Sequence, residues 1–388
     1  MERQASVQGG GTVQEKHRRL SSQADLRFGS NAVRLSAREW AVTGIILVAV
    51  FAMLPTLWSH WEEFQPGPDY RIPYDLSGDY WLFNRYANLA AMRPDVLAVG
   101  DSVIWGQYVT KEQTLTHHLS QAAGGPQFAN LGMDGMHPAA LAGLLEYYGG
   151  GIQGRSILLH ANLLWMSSKK HDLQTDKEFR FNHPDLVPQF WPRKPPCYAE
   201  EGSRRLGIVI GRRVPFLWWA DHLKQVHFDR MDLPAWSLGH PYANPAAALL
   251  ESPPPPDDRP RHEAIPWTER GIDRQSFAWV DLDTSLQWRF FREAVETLRR
   301  RGNRVFVLVG PFNEHMLTAE SLATYTQRKR EVEAWLRERG IPCCVPAALP
   351  SELYADASHP LGDGYALLAR RLLEDQSFRR VAAATARR

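Results

Sequence analysis

Two short segments of this chain hold residue types and spacings suited to acyl transfer. Asp95-Val96-Leu97-Ala98-Val99-Gly100-Asp101-Ser102 reads as a buried strand that ends in a serine on a tight turn. Asp356-Ala357-Ser358-His359-Pro360 offers a carboxylate and an imidazole three residues apart. A serine needs a neighbouring imidazole to take its proton, and the imidazole needs a carboxylate to fix its tautomer and stabilise its charged form. Ser102, His359 and Asp356 are therefore the candidate nucleophile, base and orienting acid. Each segment alone is a weak signal, since Gly-Asp-Ser is common by chance and Asp-x-x-His occurs in surface turns. Their joint placement on strand-end loops makes the case. The reaction also needs donors for a developing oxyanion, a role suited to a loop glycine N–H and an Asn side-chain amide.

The elements that must position these residues alternate along the chain. Strands are expected at Val96–Gly100, Phe128–Leu131, Ser156–Ala161, Arg304–Val309 and Ile341–Val345. Helices are expected at Asp79–Ala91, Thr114–Ala123, Pro138–Tyr148, Ser285–Arg301, Thr318–Arg339 and Leu361–Leu373, with Gly124-Gly125-Pro126 and Gly149-Gly150-Gly151 as stops. This alternation and the near-continuous apolar strands predict an α/β fold, a mainly parallel sheet with helices on both faces. In such sheets active residues gather at the carboxyl ends of strands. Ser102, Gly135, Asn162 and Asn313 all follow expected strands.

With the strand-end residues in view, the chain resembles the SGNH, or GDSL, hydrolase superfamily. The likeness covers roughly residues 95–162 and 304–374. Gly100-Asp101-Ser102 is similar to the first family block, which makes Ser102 the nucleophile and its N–H an oxyanion donor. Asn130-Leu131-Gly132-Met133-Asp134-Gly135 resembles the second, with Gly135 the best match to the oxyanion glycine and Gly132 close behind. His160-Ala161-Asn162-Leu163 stands where the family has Gly-x-Asn-Asp, keeping Asn162 but replacing the flanking Gly and Asp. Asp356-Ala357-Ser358-His359-Pro360 resembles the last block. The resemblance implies a three-layer α/β/α sandwich of flavodoxin-like type, a Ser-His-Asp acyl-enzyme mechanism, and an oxyanion hole of Ser102, Gly135 and Asn162. No metal or cofactor is required.

Four domain-level segments are expected. Residues 1–38 are rich in Gln, Ser, Gly and Arg and read as a disordered tail. Residues 39–61 read as a transmembrane signal anchor: Trp40 to Ser59 holds no charged side chain, and Trp40, Trp58 and Trp61 flank it. Arg3, Lys16, Arg18, Arg19, Arg27, Arg34 and Arg38 precede it, while Glu62, Glu63 and Asp69 follow, which places the N-terminus in the cytoplasm and the rest outside. Residues 62–94 form a linker and first helix. Residues 95–388 form the hydrolase-like domain, interrupted at about 163–284 by a Pro- and Trp-rich insertion containing the stiff run Ser252-Pro253-Pro254-Pro255-Pro256. That insertion is expected to cover the site rather than fold alone.

Other clusters carry weaker expectations. Gly310-Pro311-Phe312-Asn313-Glu314-His315 follows a strand, so Asn313 and His315 are candidate substrate contacts, with His315 an alternative histidine near the serine, or part of a capped turn; His359 is preferred as base for its spaced Asp. Asp101 and Gly132 are further candidates for contact, although Asp101 suits an orienting role in the serine turn. His117-His118 read as an exposed helix face and Lys169-Lys170-His171 as a solvated patch. The insertion's tryptophans read as packing more than as sugar platforms. Cys197, Cys343 and Cys344 do not form a disulfide framework, and a bridge from Cys197 stays open.

The net charge of +2 over 388 residues argues against nucleic acid as a partner. An anchor joined to such a domain resembles bacterial envelope proteins that edit acyl groups on glycans or teichoic acids. The expected partners are an acylated carbohydrate or envelope glycan, the lipid bilayer, and a membrane protein that donates acyl groups. The expected activity is an esterase removing short acyl groups, with an O-acyltransferase using the same residues and a non-catalytic envelope scaffold as alternatives.

Overall fold

The computed structural model describes residues 35–93, 95–124, 128–251, 260 and 262–383. Most of the expected N-terminal tail, the Ser252–Pro256 run and the Gly125-Pro126 stop lie outside the described residues. One helix near the N-terminus, α1 (Ala37–Trp61), is long and apolar enough to cross a membrane.

The strands are β1 (Val96–Gly100), β2 (Phe128–Gly132), β3 (Ser156–Ala161), β4 (Arg304–Val309) and β5 (Cys343–Cys344). They form one all-parallel sheet in the order β2-β1-β3-β4-β5. The helices after α1 and before the insertion are α2 (Tyr80–Met92), α3 (Ser102–Trp105), α4 (Leu115–Ala123) and α5 (Pro138–Tyr147). The insertion holds α6 (Gly202–Gly211), α7 (Pro215–His227), α8 (Leu233–Gly239) and α9 (Pro245–Leu250). The chain continues through α10 (Leu286–Arg300), α11 (Ala319–Glu338), α12 (Gly362–Glu374) and α13 (Gln376–Ala383).

Strand side chains alternate between two apolar clusters, as period-2 geometry requires. Leu97, Val99, Ile157, Leu159, Val305 and Val307 pack with residues of α2, α5, α10 and α11. Val96, Ala98, Leu158, Phe306 and Leu308 pack with residues of α4, α12 and α13. Strands buried on both sides must be apolar throughout, which is why their sequences show no polar alternation. Helix α10 shows the complementary pattern: Trp288, Phe291, Ala294, Val295 and Leu298 are buried at helical spacing, each large side chain contributing about 1.5–3 kcal/mol. Its N-cap Ser285 accepts from the Trp288 N–H.

The fold corrects three expectations and adds one helix. The last strand is shorter than Ile341–Val345, because Pro342 and Pro346 bracket Cys343 and Cys344 and cannot donate to a ladder. The 62–78 segment is irregular, yet it packs into the fold through buried Arg71 and Ile72. His117 and His118 are half-buried rather than exposed: His117 pairs with Asp69 at 2.8 Å, and burial lowers the His118 pKa. Helix α13 was not anticipated; it buries Phe378 against Phe128 and Phe306. All three cysteines are free thiols, which answers the Cys197 question, and Cys197 is fully buried with its thiol directed at the Leu173 carbonyl.

The insertion is built into the main core. Leu173, Leu186, Val187, Cys197 and Tyr198 belong to the same cluster as the strand residues. Helix α7 is tied down by buried His222, whose Nδ1 meets Asp79 at 2.5 Å and whose Nε2 meets Glu62 at 2.9 Å. Burial opposes the charge, but Asp79 and then Glu62 outweigh it and raise the imidazole to about 9. A raised histidine pKa stabilises the fold fully below the unfolded value of about 6.5 and loses that contribution as pH rises through about 9. The Tm of the full chain should therefore fall between these pH values. His222→Gln, which cannot carry the charge, should lower Tm at pH 6 and flatten that part of the profile; an unchanged pH profile would remove His222 as its source.

Candidate active site

Ser102 begins α3, directly after β1, and its turn is held from three sides. The N-cap Asp101 accepts from the Val103 N–H at 3.0 Å. Tyr365 of α12 donates to the Val103 carbonyl at 2.6 Å. Buried Arg71 donates to the Gly106 carbonyl at 2.7 Å, placing a cation at the end of the short helix.

His359 meets this serine from the loop before α12. Its Nε2 lies 2.8 Å from Ser102 Oγ, and its Nδ1 lies 2.8 Å from both carboxylate oxygens of Asp356. Nδ1–H therefore donates to Asp356, leaving Nε2 as acceptor for the serine hydroxyl. Burial would raise the Asp356 pKa, but the His359 charge and hydrogen bond, with the Ser358 and His359 N–H groups, hold it well below the usual carboxylate range. Burial would lower His359, yet Asp356, then Asp101 and Asp134, raise it above its ordinary value. Ser102 and His359 are each 7% exposed.

The three expected oxyanion donors occupy the ends of three adjacent strands. The Ser102 and Gly135 N–H groups have no hydrogen-bond acceptor among the described residues. Gly135 has φ of 66°, which favours glycine, and an added Cβ would lie 2.2 Å from the Asn182 amide nitrogen, so any other residue is strained here and displaces Asn182. Asn162 spends one amide N–H on Asp101 at 2.8 Å and retains a second. Gly132 is differently placed. Its N–H donates to the Asn130 side chain, and a Cβ there would lie 2.4 Å from the Trp105 nitrogen, so it serves close packing of α3 against β2.

Asp101 is 3% exposed and holds two donors on each oxygen. Oδ1 accepts from Val103 N–H and His160 Nδ1 (3.0 Å each), and Oδ2 accepts from Asn162 Nδ2 at 2.8 Å and Trp165 Nε1 at 3.0 Å. Burial opposes its ionisation, but His160 and then Asn162 pull its pKa well below the usual range. His160 thus acts as a partner of Asp101. Asn313 is fully buried and pins the loop that carries Asp356 and His359, donating its N–H to the Ala357 carbonyl (2.8 Å) and its amide to the Asp356 carbonyl (3.1 Å). His315 bonds to the Leu349 carbonyl; His359 is the imidazole bonded to Ser102.

Sequence reasoning missed Tyr108, Trp165 and Asn182. Tyr108 donates to Asp356 Oδ2 at 3.0 Å, its ring lies 5.4 Å from that of His359, and burial with the Asp356 charge pushes its hydroxyl up to about 12. Residues of the insertion, His262 and Arg270, flank the Tyr108 ring. Only Trp165 had a usable signal, an indole three residues beyond Asn162. Among the described residues, no three His, Cys, Asp or Glu side chains come together as a metal site.

Asp101→Asn would turn an amide NH2 toward two donors. It should cost on the order of 2 kcal/mol, read as a lowered Tm. A Tm equal to that of the unaltered protein would show that the four donors do not depend on the charge. No protein-family model matches the chain, and no curated protein matches it.

Proposed function

We propose that this protein is a serine esterase of the SGNH type, with a three-layer α/β/α sandwich, that removes acetyl or another short acyl group from a cell-envelope carbohydrate. The observation that carries the reading is the unbroken line from Ser102 Oγ through His359 to Asp356, with 2.8 Å at each step. The sandwich is supported by apolar clusters on the two faces of the sheet and by the order 2-1-3-4-5, which reverses between β1 and β3 beside Ser102 and Asn162. Helix α1 supports single-pass anchoring, and the charge bias around it supports an extracytoplasmic catalytic region.

The chemistry follows from the geometry. Ser102 Oγ attacks the ester carbonyl while its proton passes to His359 Nε2. The carbonyl oxygen takes the negative charge and is met by the Ser102 N–H, the Gly135 N–H and the second Asn162 amide hydrogen. His359 then gives its proton to the departing alcohol oxygen as the ester C–O bond breaks. A water attacks the acyl-serine with His359 again as base, releasing the carboxylic acid and restoring Ser102. Asp356 stays ionised and stabilises the imidazolium throughout. The low exposure of Ser102 and His359 favours a second reading, in which a sugar hydroxyl replaces water and the acyl group comes from a membrane donor protein.

A fluorophosphonate should label Ser102, as mapped by mass spectrometry. Turnover of p-nitrophenyl acetate should fall by roughly 10³–10⁴-fold in Ser102→Ala and His359→Ala. Labelling elsewhere, or turnover that survives Ser102→Ala, would refute the assignment.

His359 must be neutral to act as base, and its pKa is raised. Hence kcat/KM should fall as pH drops through a single ionisation above about 6.5. Asp356→Asn should move that inflection to lower pH as well as lower the rate; an unmoved inflection would assign it to another group.

A further inference from the structure

A cavity of about 620 Å³ lies between α2, the turn carrying Gly135, and insertion helices α6 and α7. That volume falls in the range of small-ligand sites. One wall is aromatic: the Tyr148 ring sits 5.0 Å from Tyr80 and 4.7 Å from Trp218. The remainder is polar, with four carboxylates and three guanidinium groups among the lining residues.

Two lining groups lack the partners that such groups normally find. The Asp185 carboxylate and the Tyr148 hydroxyl make no hydrogen bond among the described residues. Asp185 is half-buried, and Arg212 spends its Nε on the Asp185 backbone carbonyl at 2.6 Å rather than on the carboxylate. Burial raises the Asp185 pKa, with Arg204 and Arg212 opposing it.

The cavity also reaches the candidate catalytic machinery. Tyr80 donates to His183 Nδ1 at 3.0 Å, and His183 Nε2 donates to the Asp134 carbonyl at 2.7 Å. Asp134 precedes Gly135, and its charge acts on His359. Asn182, another lining residue, is the side chain that closes over Gly135.

These features select a ligand class. The near balance of acidic and basic groups provides no field for a polyanion or polycation, and an acyl chain would strand the charged walls in contact with hydrocarbon. A sugar ring offers a C–H face for the aromatic wall and hydroxyls that donate to carboxylates and accept from arginines. We propose that this cavity binds an uncharged oligosaccharide segment of the substrate and holds it beside the Ser102 site. The substrate role rests on the serine-esterase reading; the binding itself does not.

The test is saturation-transfer NMR on the full chain in nanodiscs whose lipids carry no sugar headgroup. The probes are cellotetraose, chitotetraose and mannotetraose, with tetragalacturonate as the anionic comparison, each at about 5 mM to detect millimolar affinity. At least one neutral tetrasaccharide should show transfer, reduced about tenfold in Trp218→Ala and in Asp185→Asn, and retained in Ser102→Ala. Asp185→Asn preserves shape and breaks no protein hydrogen bond, so it decides the matter if loss of the Trp218 Nε1 bond to the Gly211 carbonyl unsettles the insertion. Absence of neutral binding, equal binding in both cavity variants, or preference for tetragalacturonate would overturn the proposal. Ser102 labelling without tetrasaccharide binding would refute the cavity alone; tetrasaccharide binding without Ser102 labelling would refute the esterase alone.

Discussion

A carboxylate removed from water stays ionised only if donors replace its hydration, and Asp101 meets that demand with four of them. Those donors come from the serine helix, from the end of β3, and from the first turn of the insertion. Satisfying one buried charge therefore fixes Ser102, Asn162 and Trp165 relative to one another. The strand order reverses between β1 and β3, beside these residues. A parallel sheet provides such a place because all its strands end on one edge. Asp101 then converts proximity into fixed geometry.

The other half of the site is held by a different logic. Asp356 is surrounded by its own loop, through the Ser358 and His359 N–H groups, and by Tyr108 from across the site. Asn313 ties that loop to the end of β4. The imidazole between Asp356 and Ser102 is thus oriented from both nitrogens. Opposite pKa shifts follow from the same contact: the acid is held ionised and the base is made stronger.

The insertion contributes to three separate tasks. It adds apolar residues to the main core, supplies Trp165 and Asn182 to the site, and forms most of the polar cavity beside Gly135. Its tryptophans divide accordingly. Trp219, Trp236 and Trp267 are buried and pack, Trp218 faces the cavity, and Trp191 is 89% exposed. Composition alone could not separate these roles, because packing and ligand stacking use the same ring.

Local patterns determined much of this protein. The bounds of β1, β3 and β4, the caps around α4 and α10, and the spacing of Asp356 and His359 are written in neighbouring residues, since strand period, capping and short-loop geometry are local. The long apolar stretch of α1 is equally local. Tertiary structure alone decided which distant groups satisfy one another. His160 looked like a departure from a motif and became a partner of Asp101; Tyr108 carried no signal and bonds to Asp356, 248 residues away. The half-burial of His117, the shortness of β5 and the open carboxylate of Asp185 likewise depend on what packs beside them. Burial and hydrogen-bond satisfaction belong to the whole fold, and a residue's identity does not say which neighbours will enclose it.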